Sequence, residues 1–291
     1  MSREEDTPRR PSPGRPEPGP VEAVIFDWGG TLTPWHSIDL GEQWRVFARE
    51  IHGIPFASED VPHADLERAH ELADRILAAE DEAWQRSRSD HASAHLDDVL
   101  RAAGIDPWHD RHHLALAAYR RFWEPHTATD PQVRPLWEGL RAHGLKVGVL
   151  SNTIWSREYH RGIFERDGVL DLIDADVYSS EIRVTKPHAL AFETACRALD
   201  VAPTSAVYVG DRLFEDVLGP QEVGMRTIWV PHSEIPLDQQ IAVEVEPDAT
   251  VQDLGEILGV VEGWLAPPDA SAGGAQRSGC SALAAVRQGL A

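Results

Sequence analysis

Residues 21–31, Val-Glu-Ala-Val-Ile-Phe-Asp-Trp-Gly-Gly-Thr, constrain what this chain can fold into more than any other stretch. An apolar run rich in β-branched residues (Val21, Val24, Ile25, Phe26) stops at Asp27, and Gly29 and Gly30 then turn the backbone. A strand buried on both faces of a parallel sheet ends on a functional loop in this way. Taken alone, an aspartate before two glycines is also ordinary turn chemistry, since both residue types accept unusual backbone angles. Recurrence separates the two readings. Strand-like runs at 145–150 and 206–209 end in the same manner, on Ser151-Asn152-Thr153 and on Gly210-Asp211.

From Thr127 onward helical and strand-like patterns alternate. Helices are expected near 132–143 and 156–167, after Lys186-Pro187, up to about Val223 and near 251–261; further strands are expected at 176–179 and 227–230. Such alternation requires crossover connections and predicts an α/β fold, a Rossmann-like doubly wound parallel sheet. Residues 37–124 differ. Leu66, Ala69, Ala73, Ile76, Leu77, Ala83 and Trp84 recur at helical spacing, as do Leu96, Val99, Leu100 and Ala103 before Gly104, and Leu114, Ala117, Ala118 and Phe122 before Pro125. The expected organisation is a disordered leader at 1–20, a core at 21–36 plus 125–262, an inserted all-helical cap at 37–124 and a disordered tail at 263–291.

Composition bounds the partners. A net charge of −21 argues against a general nucleic-acid surface, which needs clustered positive charge, but leaves room for a small anionic substrate. No apolar run is long enough to span a membrane, and the proline-rich first twenty residues lack the apolar segment of a secretory signal. With Cys196 and Cys280 as the only cysteines, a disulfide framework is not expected and a reducing cytoplasm is the expected setting. Oligomeric state is not fixed by the sequence.

In an open parallel sheet, ligands bind outside the carboxyl ends of the strands, where Asp27, Ser151 and Asp211 are expected together with Lys186. Asp27-Trp28-Gly29-Gly30-Thr31, Ser151, Lys186-Pro187 and Gly210-Asp211-Arg212-Leu213-Phe214-Glu215-Asp216, in that order and with a helical insertion after the first strand, resemble the four motifs of the haloacid dehalogenase superfamily. Most of its members are phosphatases, and the resemblance covers about residues 21–262. It implies Asp27 as nucleophile, Lys186 and Ser151 as catalytic partners, and Gly30, Thr31, Ser151, Asn152 and Lys186 around the phosphate of a small phosphorylated metabolite. It further implies Mg²⁺ held by Asp27, the Gly29 carbonyl, Asp211 and Asp216.

Physical chemistry agrees with these roles. A carboxylate attacking a phosphoryl group shares its charge sign and needs a cation between them, and three clustered carboxylates repel one another without one. Single residues keep simpler readings: Ser151 also fits a helix N-cap, Lys186-Pro187 a helix start, and Asp216 an exposed helical position. Yet only Lys146 and Lys186 are lysines in an arginine-rich chain, which favours a requirement for a compact ammonium at 186.

Gly29 departs from the family pattern. Phosphatases of the family usually carry there a second aspartate, which protonates the leaving oxygen and then activates water; positioned acid–base help of that kind contributes about 10²–10⁴-fold. Slow hydrolysis of alkyl phosphates is therefore expected unless the substrate has a good leaving group or another residue substitutes, His36 being the nearest candidate. A binding protein without turnover is the alternative from a different class. Phosphonate cleavage needs a cap lysine that this chain lacks, and metal-free dehalogenation does without the acid pair Asp211 and Asp216. Trp28, Trp35 and Trp155 could meet an organic group or pack the cap. Arg183 and Arg212 could add positive potential, and His109, His112 and His113 read as a solvated helix start rather than a metal site.

Overall fold

The computed structural model describes residues 15–34, 39–55, 58, 60–231 and 240–265. Its centre is a six-stranded, all-parallel sheet of β1 (Ala23–Phe26), β2 (Lys146–Ser151), β3 (Ala175–Tyr178), β4 (Ala206–Gly210), β5 (Arg226–Trp229) and β6 (Ala249–Thr250), in the order β3-β2-β1-β4-β5-β6. This is the doubly wound order, with its topological switch between β1 and β4. The two-residue edge strand β6, joined to Ile228 and Trp229, is too short to leave a periodic signal in the sequence.

Side chains of a strand alternate between the faces of its sheet. Val24 and Phe26 therefore join one core layer, with Trp137 of α5 (Val133–Ala142) and Phe164 of α6 (Arg157–Arg166); the Phe26 and Trp137 rings lie 5.8 Å apart. Ala23 and Ile25 join the other, against Phe192, Ala195 and Cys196 of α8 (Ala189–Ala198). Among the described residues the last helix, α9 (Ile257–Leu265), also closes the first layer with Ile257 and Val261, and reaches three residues past the expected core boundary at 262. Residues 15–20 of the expected leader lie along the core: Arg15 pairs with Asp248 and the Gly19 N–H donates to Thr204 O at 2.8 Å.

Between β1 and β2 lie α1 (Leu40–Ile51), α2 (His63–Asp90), α3 (Leu96–Ala102) and α4 (His112–Trp123), which pack around a second core of Trp44, Phe47, Leu72, Ile76, Leu100 and Tyr119. The buried stripe of α4 is Ala115 and Tyr119, while Leu114, expected on it, is 43% exposed. Tyr119 fixes that rotation, since its ring packs at a tilt against Trp44 at 4.6 Å and Trp155 at 4.9 Å. Trp84 is likewise half exposed at the cleft facing the sheet rather than inside the bundle. Among the described residues, no helix is long and apolar enough to cross a membrane.

Candidate active site

Asp27 follows the last residue of β1 and Asp211 the last of β4, so the two carboxylates flank the switch point of the sheet. Asp216 reaches the same place from a π-helical turn, Leu213–Leu218, that begins two residues after β4. The Arg212 N–H donates to Asp216 Oδ2 at 3.0 Å, folding that turn back onto the strand end. Gly210 permits the approach, because a Cβ there would sit 2.4 Å from Asp216 Cβ. Oxygens of Asp27, Asp211 and Asp216 lie within 4.8 Å of one another, and all three residues are buried.

Lys186 enters this cluster from the loop between α7 (Ser179–Ile182) and α8, with a cis peptide before Pro187. Its Nζ is 2.9 Å from Asp27 Oδ1 and donates to Asp216 Oδ1 at 2.7 Å and to Tyr208 Oη at 2.9 Å; Tyr208 in turn donates to Leu150 O at 2.8 Å. Burial alone would lower the pKa of this ammonium, but Asp216 and then Asp27 overcome it and hold the group protonated far above its ordinary value. Burial drives the Asp216 carboxyl upward; Lys186 opposes that rise, and Asp27 and Asp211 add to it. Three carboxyl groups face one ammonium in this buried pocket, so acid outnumbers base there. A hard divalent cation with oxygen ligands, Mg²⁺ above all, fits that donor set and that charge.

The remaining expected residues divide by role. Gly30 takes the left-handed conformation (φ 85°) that turns the loop after Asp27, and its N–H donates to Thr33 O. Among the described residues, nothing beyond its chain neighbours lies within 4 Å of the place a Cβ on Gly29 would occupy. Ser151 is buried at the end of β2; the N-cap of α6 is Ser156, so the capping alternative for Ser151 does not apply. Thr31 and Asn152 were expected against the phosphate, but their side chains are engaged within the protein. Thr31 Oγ1 donates to Asp211 Oδ1 at 3.2 Å, and the Asn152 carboxamide accepts from the Lys186 N–H at 2.8 Å and donates to Lys186 O at 3.0 Å. These bonds tie Thr31 to Asp211 and Asn152 to the Lys186 backbone. Arg183, at the C-cap of α7 with φ 64°, is exposed, and Trp28 packs edge-on against His160 at 4.9 Å. Among the described residues, the three aspartates are the one group of acids, histidines or cysteines able to hold a metal, so His109, His112 and His113 do not form one. Trp35 and His36 lie outside the described residues.

Tyr208 and Trp229 escape a reading of the sequence. Tyr208 resembles any apolar residue in a buried strand run, although a hydroxyl where valine would serve is a faint signal. Trp229 donates its indole N–H to Asp211 O at 2.9 Å, and nothing in its local pattern points there.

Fold and site together define a doubly wound α/β hydrolase with a helical insertion and an acidic, lysine-bearing centre at the switch point. The haloacid dehalogenase-like hydrolase family model matches residues 21–224, and the chain belongs to that family. It is 30% identical over 241 residues to the glyceraldehyde 3-phosphate phosphatase of Methanopyrus kandleri, covering 83% of this chain and 97% of that protein. It is 22% identical over 241 residues to (S)-2-haloacid dehalogenase 1 of a Pseudomonas species, covering 82% and 97%. Among solved structures, a phosphatase of the family from Thermococcus onnurineus superposes with a TM-score of 0.55 at 22% identity, covering 84% of this chain and 99% of that one. The L-2-haloacid dehalogenase of Xanthobacter autotrophicus gives 0.53 at 19% identity, covering 84% and 99%. At these identities the superpositions speak to the fold.

Proposed function

We propose that this protein is a Mg²⁺-dependent phosphatase of a small phosphorylated metabolite, with Asp27 as nucleophile. The observation that carries the reading is the Asp27–Asp211–Asp216 cluster closed by Lys186. A metal-free displacement of halide has no use for two further buried acids beside the nucleophile. The relatives named glyceraldehyde 3-phosphate phosphatase support the same choice and make a three-carbon sugar phosphate the first ester to try.

Asp27, Asp211 and Asp216 would hold the metal together with the Gly29 carbonyl, and the ion would supply positive charge between the attacking carboxylate and the phosphoryl oxygens. Asp27 attacks phosphorus in line, the ester oxygen departs and an aspartyl phosphate remains, which water then hydrolyses. Lys186 neutralises charge on Asp27 and on the phosphoryl group, Ser151 donates a hydrogen bond to a phosphoryl oxygen, and the backbone N–H groups immediately after Asp27 complete the cradle. Thr31 and Trp229 keep Asp211 in place, and Asn152 keeps Lys186 in place. Residues 37–124, as a cap over the strand ends, would keep solvent from the bound substrate.

No carboxylate stands at position 29, so substrates whose leaving group needs no proton, acyl and aryl phosphates, should turn over faster than alkyl esters. Phosphate release with Mg²⁺ is measured against acyl, aryl and alkyl panels that include glyceraldehyde 3-phosphate, with Asp27→Asn as control. Activity ranked by leaving group and abolished in the variant is expected. Metal-dependent activity persisting in Asp27→Asn would remove Asp27 as nucleophile; halide release from a 2-haloacid without metal would establish a dehalogenase; silence on all panels would leave a binding protein.

A further inference from the structure

The loop that carries Lys186 is held from two sides. On the sheet side, the Asn152 carboxamide clamps both backbone polar groups of Lys186. On the other side, the residue just before it is tied to the helical insertion. Thr185 is 3% exposed, its N–H donates to His91 O at 3.0 Å, and its Oγ1 accepts from Ser87 Oγ at 3.1 Å while lying 3.4 Å from Ser87 O. Ser87 sits in the last turn of α2, and its burial there is unusual for a serine with no apolar function.

This tie belongs to a short strap. Ala92 and Val184 form an antiparallel bridge, the Ser93 N–H donates to Arg183 O at 3.3 Å, and the Leu96 N–H donates to Ile154 O at 2.8 Å. Residues 91–95, between α2 and α3, together with Leu96 at the start of α3, thus lie along both loops that frame Lys186. At each end of the bridged segment a non-glycine residue takes a left-handed conformation, His91 (φ 53°) and Arg183 (φ 64°), at a cost of about 1 kcal/mol each. The bridge persists against that cost. Ala83, Trp84 and Ser87 of α2 face Asn152, Thr153 and Thr185 across a cleft of about 20 Å³, room for roughly one water.

We propose that Thr185 is a positioning residue through which α2 of the helical insertion, by way of Ser87, sets the place of Lys186 in the acidic centre. The proposal rests on the reading of Lys186 as the ammonium that serves the phosphoryl group. In consequence, the insertion acts on chemistry through the lysine loop as well as by covering the site. Removing the Ser87 hydroxyl loosens Lys186 although the two residues do not touch.

The chain's two lysines make this measurable without turnover, since ¹⁵N-lysine labelling gives one backbone amide signal for Lys146 and one for Lys186. In Ser87→Ala the Lys186 signal is expected to move and its hydrogen exchange to quicken about tenfold, the order expected for one buried hydrogen bond. Lys146, whose N–H donates to Glu22 O, stays unchanged. In turnover, Thr185→Val is expected to lower kcat about tenfold and Thr185→Ser to restore most of it, which separates the hydroxyl from packing. An unmoved Lys186 signal in Ser87→Ala, or equal losses in Thr185→Val and Thr185→Ser, overturns the proposal. If Lys186→Met keeps full turnover, the role given to Lys186 falls instead, and the exchange measurement still decides whether α2 holds its loop.

Discussion

At the scale of single residues, the centre is built from groups that satisfy one another. Tyr208 illustrates this, with its hydroxyl accepting from Lys186 and donating to Leu150 O inside the sheet. Tyr208→Phe removes one of the three acceptors around the ammonium and leaves a buried carbonyl unpaired. A loss of about 1–3 kcal/mol is expected. It should appear as a lower midpoint in chemical denaturation, with turnover reduced but not abolished. Position 29 gives the opposite experiment. Among the described residues, nothing beyond its chain neighbours lies within 4 Å of a Cβ built there, so the first carbon of an aspartate side chain has room. If a missing proton donor is the only deficiency, Gly29→Asp raises kcat on alkyl phosphates by up to about 10²–10⁴-fold and changes acyl phosphates little. No gain on alkyl esters would place the deficiency elsewhere.

Among the elements, α6 carries a titratable group that links stability to pH. His160 is fully buried, stacked on Tyr178 at 4.3 Å and edge-on to Trp28, with Nδ1 3.1 Å from Ser156 O and, among the described residues, no partner for Nε2. Burial pushes its pKa down to about 4, from an ordinary 6.5, against opposing contributions from Ser156 O, Asp176 and Asp27. The unfolded chain therefore binds a proton first as pH falls. The stability held above pH 6.5 drains away between there and pH 4, with about 2 kcal/mol gone at pH 5. Denaturation at pH 7.5 and pH 5.0 should show a smaller pH difference in His160→Gln than in the parent by about that amount; equal slopes would show that His160 does not titrate in this window. Also at this scale, α2 ties the helical insertion to the Lys186 loop, while Trp155 and Tyr159 at the start of α6 join the ring stack that runs through Tyr119 to Trp44.

For the whole molecule, a cation held by the acidic cluster at the switch point would link folding to metal binding. A cation that binds only the folded chain stabilises it by about 2.7 kcal/mol at a hundredfold excess over its Kd, which for a protein of this size raises Tm by roughly 5–10 °C. Thermal unfolding with Mg²⁺ and with a chelator is expected to differ by that order. Asp211→Asn, which keeps the shape of the side chain and removes its charge, should shrink the difference. An undiminished shift in that variant would place the stabilising ion elsewhere.

The alternation of apolar and polar residues, fixed by the geometry of strand and helix, was enough to read the parallel sheet and the place of Asp27, Asp211 and Lys186 at its edge, because each strand announces its own end. The same local logic failed for α4, whose buried face was chosen by the rings of Trp44 and Trp155, distant in sequence. Nor does it show that Thr31 bonds Asp211 or that Asn152 bonds the Lys186 backbone, because those partners are distant in sequence. Residue types and their order determined which chemistry this chain could assemble. Which donor meets which acceptor was decided only when the tertiary structure removed water and brought Tyr208, Trp229 and Thr185 beside groups from other parts of the chain.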